Sequence, residues 1–165
     1  MTNTTNNTSK EPMFFEQTWD LVYRHALGDT VSTFFEALRE RQLLGRRCAT
    51  CERVLFPPRG FCDRCHKATG DWVELDTMGT LEMFTIVVEP FRGIAVAPPY
   101  VLAYGRPNGA DTAAVGFLQG IDLDDIHAAA EQLEVGMPIE IKFIEEPQGR
   151  ATDIWFQPVS GAPAR

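Results

Sequence analysis

The chain has 165 residues, 44% hydrophobic and 23% charged, with a formal net charge of −8. That composition suits a folded globular protein of one or two small modules and excludes wholesale disorder. Eleven Pro and thirteen Gly exclude a collagen-like or long coiled-coil chain, and no run of about 18 apolar residues exists to cross a membrane. The first residues, Met1 to Glu11, are Thr/Asn-rich without an apolar stretch, so no secretory signal is expected and the default compartment is the cytoplasm. There, four cysteines point to a metal rather than to disulfides.

Residues 1–12 are expected to be a disordered tail. Phe15, Trp19, Val22, Tyr23 and Leu27 form a helical stripe stopped by Gly28, and Val31, Phe34, Phe35 and Leu38 repeat the amphipathic spacing, so residues 13–44 are expected to hold two helices. Residues 45–70 contain the cysteines. Beyond them the texture is β: a short strand at Trp72–Leu75, a longer one at Thr80–Val88, then Tyr100–Tyr104 closed by Gly105–Gly109, then Ala113–Leu118. The connection Glu89–Pro99 is apolar for a loop, with Phe91, Ile94 and Val96 either marking an interface or plugging the barrel mouth. Asp122, with Asp125 three residues on, is placed to cap a helix through Leu133, and Gly136 stops it. Ile139, Ile141 and Phe143 alternate with Glu140 and Lys142 in a half-buried strand, and Ile154–Phe156 is the last. The order β-β-β-α-β-β over 71–158 fits the five-stranded Greek-key barrel of the OB-fold. Residues 159–165 are expected to be a loose tail. The fold class is therefore mainly β with an α-helical N-terminus: a helix pair, a four-cysteine ribbon and a five-stranded barrel.

Cys48-x-x-Cys51 and Cys62-x-x-Cys65 are separated by ten residues. Two such turns facing each other supply four thiolates, which satisfy a tetrahedral zinc and leave no open position for catalysis. A segment this small has no core of its own, so the metal supplies folding free energy. An iron site of rubredoxin type uses the same ligands, but its knuckles usually carry Gly after the second Cys, where Glu52 and His66 stand here. A redox C-x-x-C lacks its βαβ context. His66 is a spare donor beside Cys65.

Charge is unevenly distributed. Between Arg39 and Lys67, eight basic residues face three acidic ones, a local balance of +5 that leaves −13 for the rest. A basic module in an acidic chain either meets an anion or merely carries solvated cations. No phosphate-binding, dinucleotide-binding or nucleophile-elbow motif occurs, and His25, His66 and His127 fall in three separate modules. No catalytic constellation emerges.

Leu44-Gly45-Arg46-Arg47-Cys48-x-x-Cys51 and Leu55-Phe56-Pro57-Pro58-Arg59-x-x-Cys62-x-x-Cys65 resemble the DUF35 family of zinc-ribbon OB-fold proteins. Gly79-Thr80-Leu81-x-x-Phe84-Thr85-Ile86-Val87, Pro99-Tyr100-Val101-Leu102 and Val135-Gly136-Met137-Pro138-Ile139 extend the resemblance across about Phe14 to Pro158. The resemblance implies structural zinc on Cys48, Cys51, Cys62 and Cys65. It also implies a non-catalytic, cytoplasmic accessory subunit in a hetero-oligomer with a thiolase-fold, aldolase or MaoC-like hydratase protein acting on an acyl-CoA. In that setting Arg46, Arg47, Arg53, Arg59 and Lys67 are candidates to bind the phosphates of coenzyme A at the shared interface. The alternative is single-stranded nucleic-acid binding, against which the net acidity and the few basic residues on the barrel argue.

Overall fold

The structure, a computed structural model, describes residues 23–91 and 93–159. The tail 1–12, most of the first expected helix (Phe14–Val22), Arg92 and residues 160–165 lie outside the described residues. The last part of that expected helix, Tyr23–Leu27, has no regular structure. Gly28, expected as a helix stop, instead opens α1 (Gly28–Arg39), turning the chain into it at φ +69°. α1 buries Phe34, Ala37 and Leu38 on one face, as the spacing predicts.

The next three strands, β1 (Leu43–Cys48), β2 (Val54–Leu55) and β3 (Thr69–Leu75), form an antiparallel sheet in the order β2-β1-β3. The short strand expected at Trp72 is thus longer and belongs to the cysteine module. Gly45 sits where this sheet is tightest, because a Cβ there would lie 2.8 Å from Val54 Cγ1.

The second unit is a barrel of β4 (Met78–Val87), β5 (Tyr100–Pro107), β6 (Ala114–Leu118), β7 (Pro138–Phe143) and β8 (Ile154–Pro158), in the order β4-β5-β6-β8-β7 with β4 returning to β7. The β6–β8 seam is parallel and rests on one pairing, Leu118 opposite Phe156. The short helix α2 (Ile126–Glu131) lies between β6 and β7, the OB-fold position. Its cap is Asp125, whose carboxylate accepts from the N–H groups of His127 and Ala128, whereas Asp122 turns the chain before it by accepting from Asp124 N–H. β5 runs through Gly105–Pro107, the stretch expected to close it. Gly105 can continue the strand because a bare Cα is what the barrel interior tolerates there: an added Cβ would lie 2.5 Å from the Phe156 ring.

Phe156 fills the barrel between Gly105 and Gly116 of neighbouring strands, and is wholly buried. One continuous apolar core joins Phe34 and Leu38 of α1, Leu43, Val54, Phe56 and Leu75 of the ribbon region, and Leu81, Val101, Ile139, Ile141 and Phe156 of the barrel. Phe34 meets Phe56 edge-on at a centroid distance of 5.8 Å. Polar links reinforce this join. Arg39 and Arg41, at the end of α1, donate to the carbonyls of Gln148 and Glu145 in the β7–β8 loop. That loop is gathered by the buried Asp153 carboxylate, which accepts from the N–H groups of Gln148, Gly149 and Arg150. No helix among the described residues is long and apolar enough to cross a membrane.

Candidate metal centre and the surfaces around it

Each C-x-x-C turn closes on its first cysteine. The Cys48 carbonyl accepts from Glu52 N–H and the Cys48 N–H donates to the Arg53 carbonyl; Cys62 repeats the pattern with His66 and Lys67. The residue after each second cysteine is left-handed, Glu52 at φ +62° and His66 at φ +55°. These are the positions where glycine is usual, so its absence from the sequence does not oppose the rubredoxin-like knuckle. The bend forms with an ordinary side chain at a cost of about 1–2 kcal/mol each.

The four sulfurs converge. Cys48 and Cys65 Sγ are 3.3 Å apart, Cys51 and Cys62 3.6 Å, and Cys51 and Cys65 3.9 Å, with all four within 4.8 Å of one another. A zinc tetrahedron with bonds of about 2.3 Å has edges of about 3.8 Å, so the set fits one ion. Cys48 and Cys62 are buried and Cys51 and Cys65 half-buried. The backbone N–H groups of Cys51 and Thr50 draw the Cys48 thiol down to about 6, and those of Cys65 and Arg64 lower Cys62. At Cys51 and Cys65 the N–H groups of Arg53 and Lys67 also favour thiolate, but neighbouring sulfurs and burial outweigh them, and Cys65 rises to about 12. Four sulfurs this close cannot all be anionic without a cation between them, which is the electrostatic demand a zinc ion meets.

The five basic candidates have separate fates. Arg46 is committed internally: its guanidinium donates to Thr30 Oγ1 and to the carbonyls of Thr69 and Gly70, and it stacks on Trp72 at 5.1 Å. Arg47 faces Glu52, donating to its carbonyl at 3.3 Å. Arg53 pairs with Asp63 at 2.7 Å and reaches the Asp111 carbonyl. Arg59 and Lys67 are exposed and form no ion pair among the described residues. The five therefore do not converge as one anion site.

Two features escape a sequence reading. The first is a set of bonds between ribbon and barrel. Residues 108–113 connect β5 to β6, and there Asp111 carboxylate accepts from Val54 N–H at 2.8 Å while Asp111 N–H donates to the Val54 carbonyl. The Thr112 hydroxyl both accepts from Phe56 N–H at 2.7 Å and donates to the Phe56 carbonyl at 2.8 Å. The second is the outer face of β4-β5-β6. Register places Met83, Tyr104 and Val115 side by side on it, with Leu102 and Phe117 one step along. Strand alternation without a partner sequence does not say which face is covered.

A four-sulfur ribbon joined to an OB barrel through a shared core defines a zinc-ribbon OB-fold protein. The family described as ChsH2, rubredoxin-like zinc ribbon domain, matches residues 35–69. A solved structure titled Ltp2-ChsH2(DUF35) aldolase shares 29% identity, covering 82% of this chain and 98% of that one, with a TM-score of 0.61. A DUF35-family protein of unknown function from Sulfolobus solfataricus shares the fold at 20% identity, covering 80% of this chain and 87% of that one, with a TM-score of 0.57. A probable enoyl-CoA hydratase alpha subunit of Thermomonospora curvata is 29% identical over 123 residues, 74% of this chain. The chain spans only about a third (35%) of that relative's length. The chain is thus similar to DUF35 proteins over most of its length and carries a four-cysteine zinc ribbon.

Proposed function

We propose that the chain is a non-catalytic accessory subunit of a thiolase-like, aldolase or hydratase enzyme that acts on an acyl-CoA. In this role it supports assembly and holds the CoA ester during carbon–carbon bond chemistry. The observation that carries the reading is the likeness, over 98% of that chain, to the DUF35 component of an aldolase. The match to part of a probable enoyl-CoA hydratase subunit supports the same class of substrate. Zinc on Cys48, Cys51, Cys62 and Cys65 is structural, since four thiolates leave no position for substrate. Of the five candidate cations, Arg59 and Lys67 have no ion pair among the described residues and are the ones suited to a CoA phosphate.

The nucleic-acid reading needs a basic groove, and the described residues form none. The outward positions of β4-β5-β6 are mainly apolar, and Arg106 at their margin is paired with Glu82. The test is purification of the tagged chain from its native host, followed by acyl-CoA turnover measured on the co-purifying enzyme with and without this subunit. Turnover lost on removal and restored on adding the chain back is the expected result. A partner equally active alone, or sub-micromolar binding of single-stranded DNA by the chain, would overturn it.

A further inference from the structure

Twelve large apolar side chains are exposed among the described residues, and six of them, Met83, Val88, Phe91, Val96, Tyr104 and Val115, belong to β4-β5-β6 and the loop that joins β4 to β5. Soluble surfaces scatter such residues singly, and a contiguous set marks an interface. Here contiguity is set by register: Met83 is opposite Tyr104 and Tyr104 opposite Val115, so the three form one row across the strands, 60%, 45% and 56% exposed. Beside the row lies a groove of about 630 Å³ lined by Leu102, Phe117, Ile94, Val96 and Ile154, with Val115 of the row itself at its edge. Thr152 supplies the one side-chain polar group in its lining.

This is the face, flanked by the β4–β5 and β7–β8 loops, with which OB barrels engage ligands. Among the described residues its charges are few: Glu82 and Arg106 pair with each other at 2.5 Å, and Glu89 lies exposed at the start of the loop. Among the described residues an anionic occupant finds no unpaired counter-charge on this face. A small apolar molecule filling the groove would leave Met83, Tyr104 and Phe91 bare, because they lie outside it. The shape instead fits an extended protein surface with an apolar ridge to seat in the groove and a flat apolar flank to cover the row.

We infer that the outer face of β4-β5-β6, with Val88, Phe91, Ile94 and Val96 of the β4–β5 loop, is the surface on which this chain docks its enzyme subunit, by burying an uncharged apolar ridge of that subunit. This rests on the accessory-subunit reading and assigns the contact to the barrel rather than to the basic ribbon. The hydratase relative is consistent with such a neighbour, since the matched segment is about a third (35%) of a longer chain.

The experiment uses the complex purified with the tagged full chain from its native host, its enzyme identified by mass spectrometry and by acyl-CoA turnover. Hydroxyl-radical labelling of Met83 and Phe91 is expected to fall several-fold between free chain and complex. Val115→Glu and Tyr104→Glu are expected to raise the Kd for that enzyme more than tenfold. Val135→Glu, an exposed apolar site outside the face, should leave Kd within twofold. Unchanged labelling with an intact complex overturns the inference while the accessory role stands, and so does wild-type affinity of both glutamate variants. Tight binding of 1-anilinonaphthalene-8-sulfonate in the groove of the intact complex also overturns it, because the face would then be a ligand pocket. Failure of the wild-type chain to bring down any acyl-CoA-active enzyme refutes the accessory role itself and the inference with it.

Discussion

Thr112→Val is the most informative single change. Valine keeps the shape and removes only the hydroxyl, which accepts from Phe56 N–H at 2.7 Å and donates to the Phe56 carbonyl at 2.8 Å. Each net hydrogen bond contributes about 0.5–1.5 kcal/mol, and a buried N–H left without a partner costs about 1–3 kcal/mol. Phe56 is wholly buried, so water does not replace the lost hydroxyl, and the expected loss is about 2–4 kcal/mol. Because Phe56 belongs to the same core as Leu43, Val101 and Phe156, the loss should appear in the whole molecule rather than in the ribbon alone. The assay is urea unfolding followed by two signals, tryptophan fluorescence and zinc release to a chromophoric chelator. Wild type and variant should each show one coincident transition, with the variant midpoint lower and the slope unchanged. Zinc release in a separate, earlier transition would refute the claim that ribbon and barrel unfold together. A variant within about 0.5 kcal/mol of wild type would refute the arithmetic.

Three further outcomes follow from the same geometry. Cys62→Ser should lower zinc content from about one equivalent per chain and, unlike a change at an isolated module, reduce the thermal midpoint of the barrel; zinc analysis and calorimetry check it. Gly105→Ala should cost about 1–3 kcal/mol by pressing a methyl into the Phe156 ring; adding Phe156→Leu should recover part of that cost, so strictly additive losses in urea would contradict the packing. His66→Val should destabilise by about 1–2 kcal/mol because a β-branched residue resists the left-handed region, whereas His66→Gly should be neutral or stabilising, as thermal unfolding of the zinc-loaded protein will show.

The cysteine module was readable because metal ligation is a spacing rule that local sequence obeys. Strand order and α2 were readable because Ile139–Phe143 and Ile126–Leu133 announce their periods. What escaped was set by contacts far apart in sequence. Arg46 reads as a free cation until Trp72, Thr69 and Thr30 are brought beside it. Asp111 and Thr112 read as turn residues, since nothing local says that Val54 and Phe56 lie opposite them. Glu52 and His66 show the limit of composition rules: metal ligation and the paired hydrogen bonds of each knuckle outweigh the modest preference for glycine. The helix expected before Gly28 failed where it could be seen, at Tyr23–Leu27, because a stripe of apolar residues forms a helix only where something covers it.

The segment Val54–Phe56 serves two masters. It is an arm of the metal-bound sheet and, through Asp111 and Thr112, a neighbour of the barrel hairpin. β3 likewise begins inside the cysteine module and ends at Leu75 in the common interior. Neither half is therefore a transferable part. A gene rearrangement that carried the barrel alone would strip Leu75 of its neighbours and leave the Asp111 carboxylate without Val54. One that carried the ribbon alone would bring Phe56 into water. Where this architecture is fused into longer chains, the seams should fall before α1 or after β8, and the stretch between should be inherited whole.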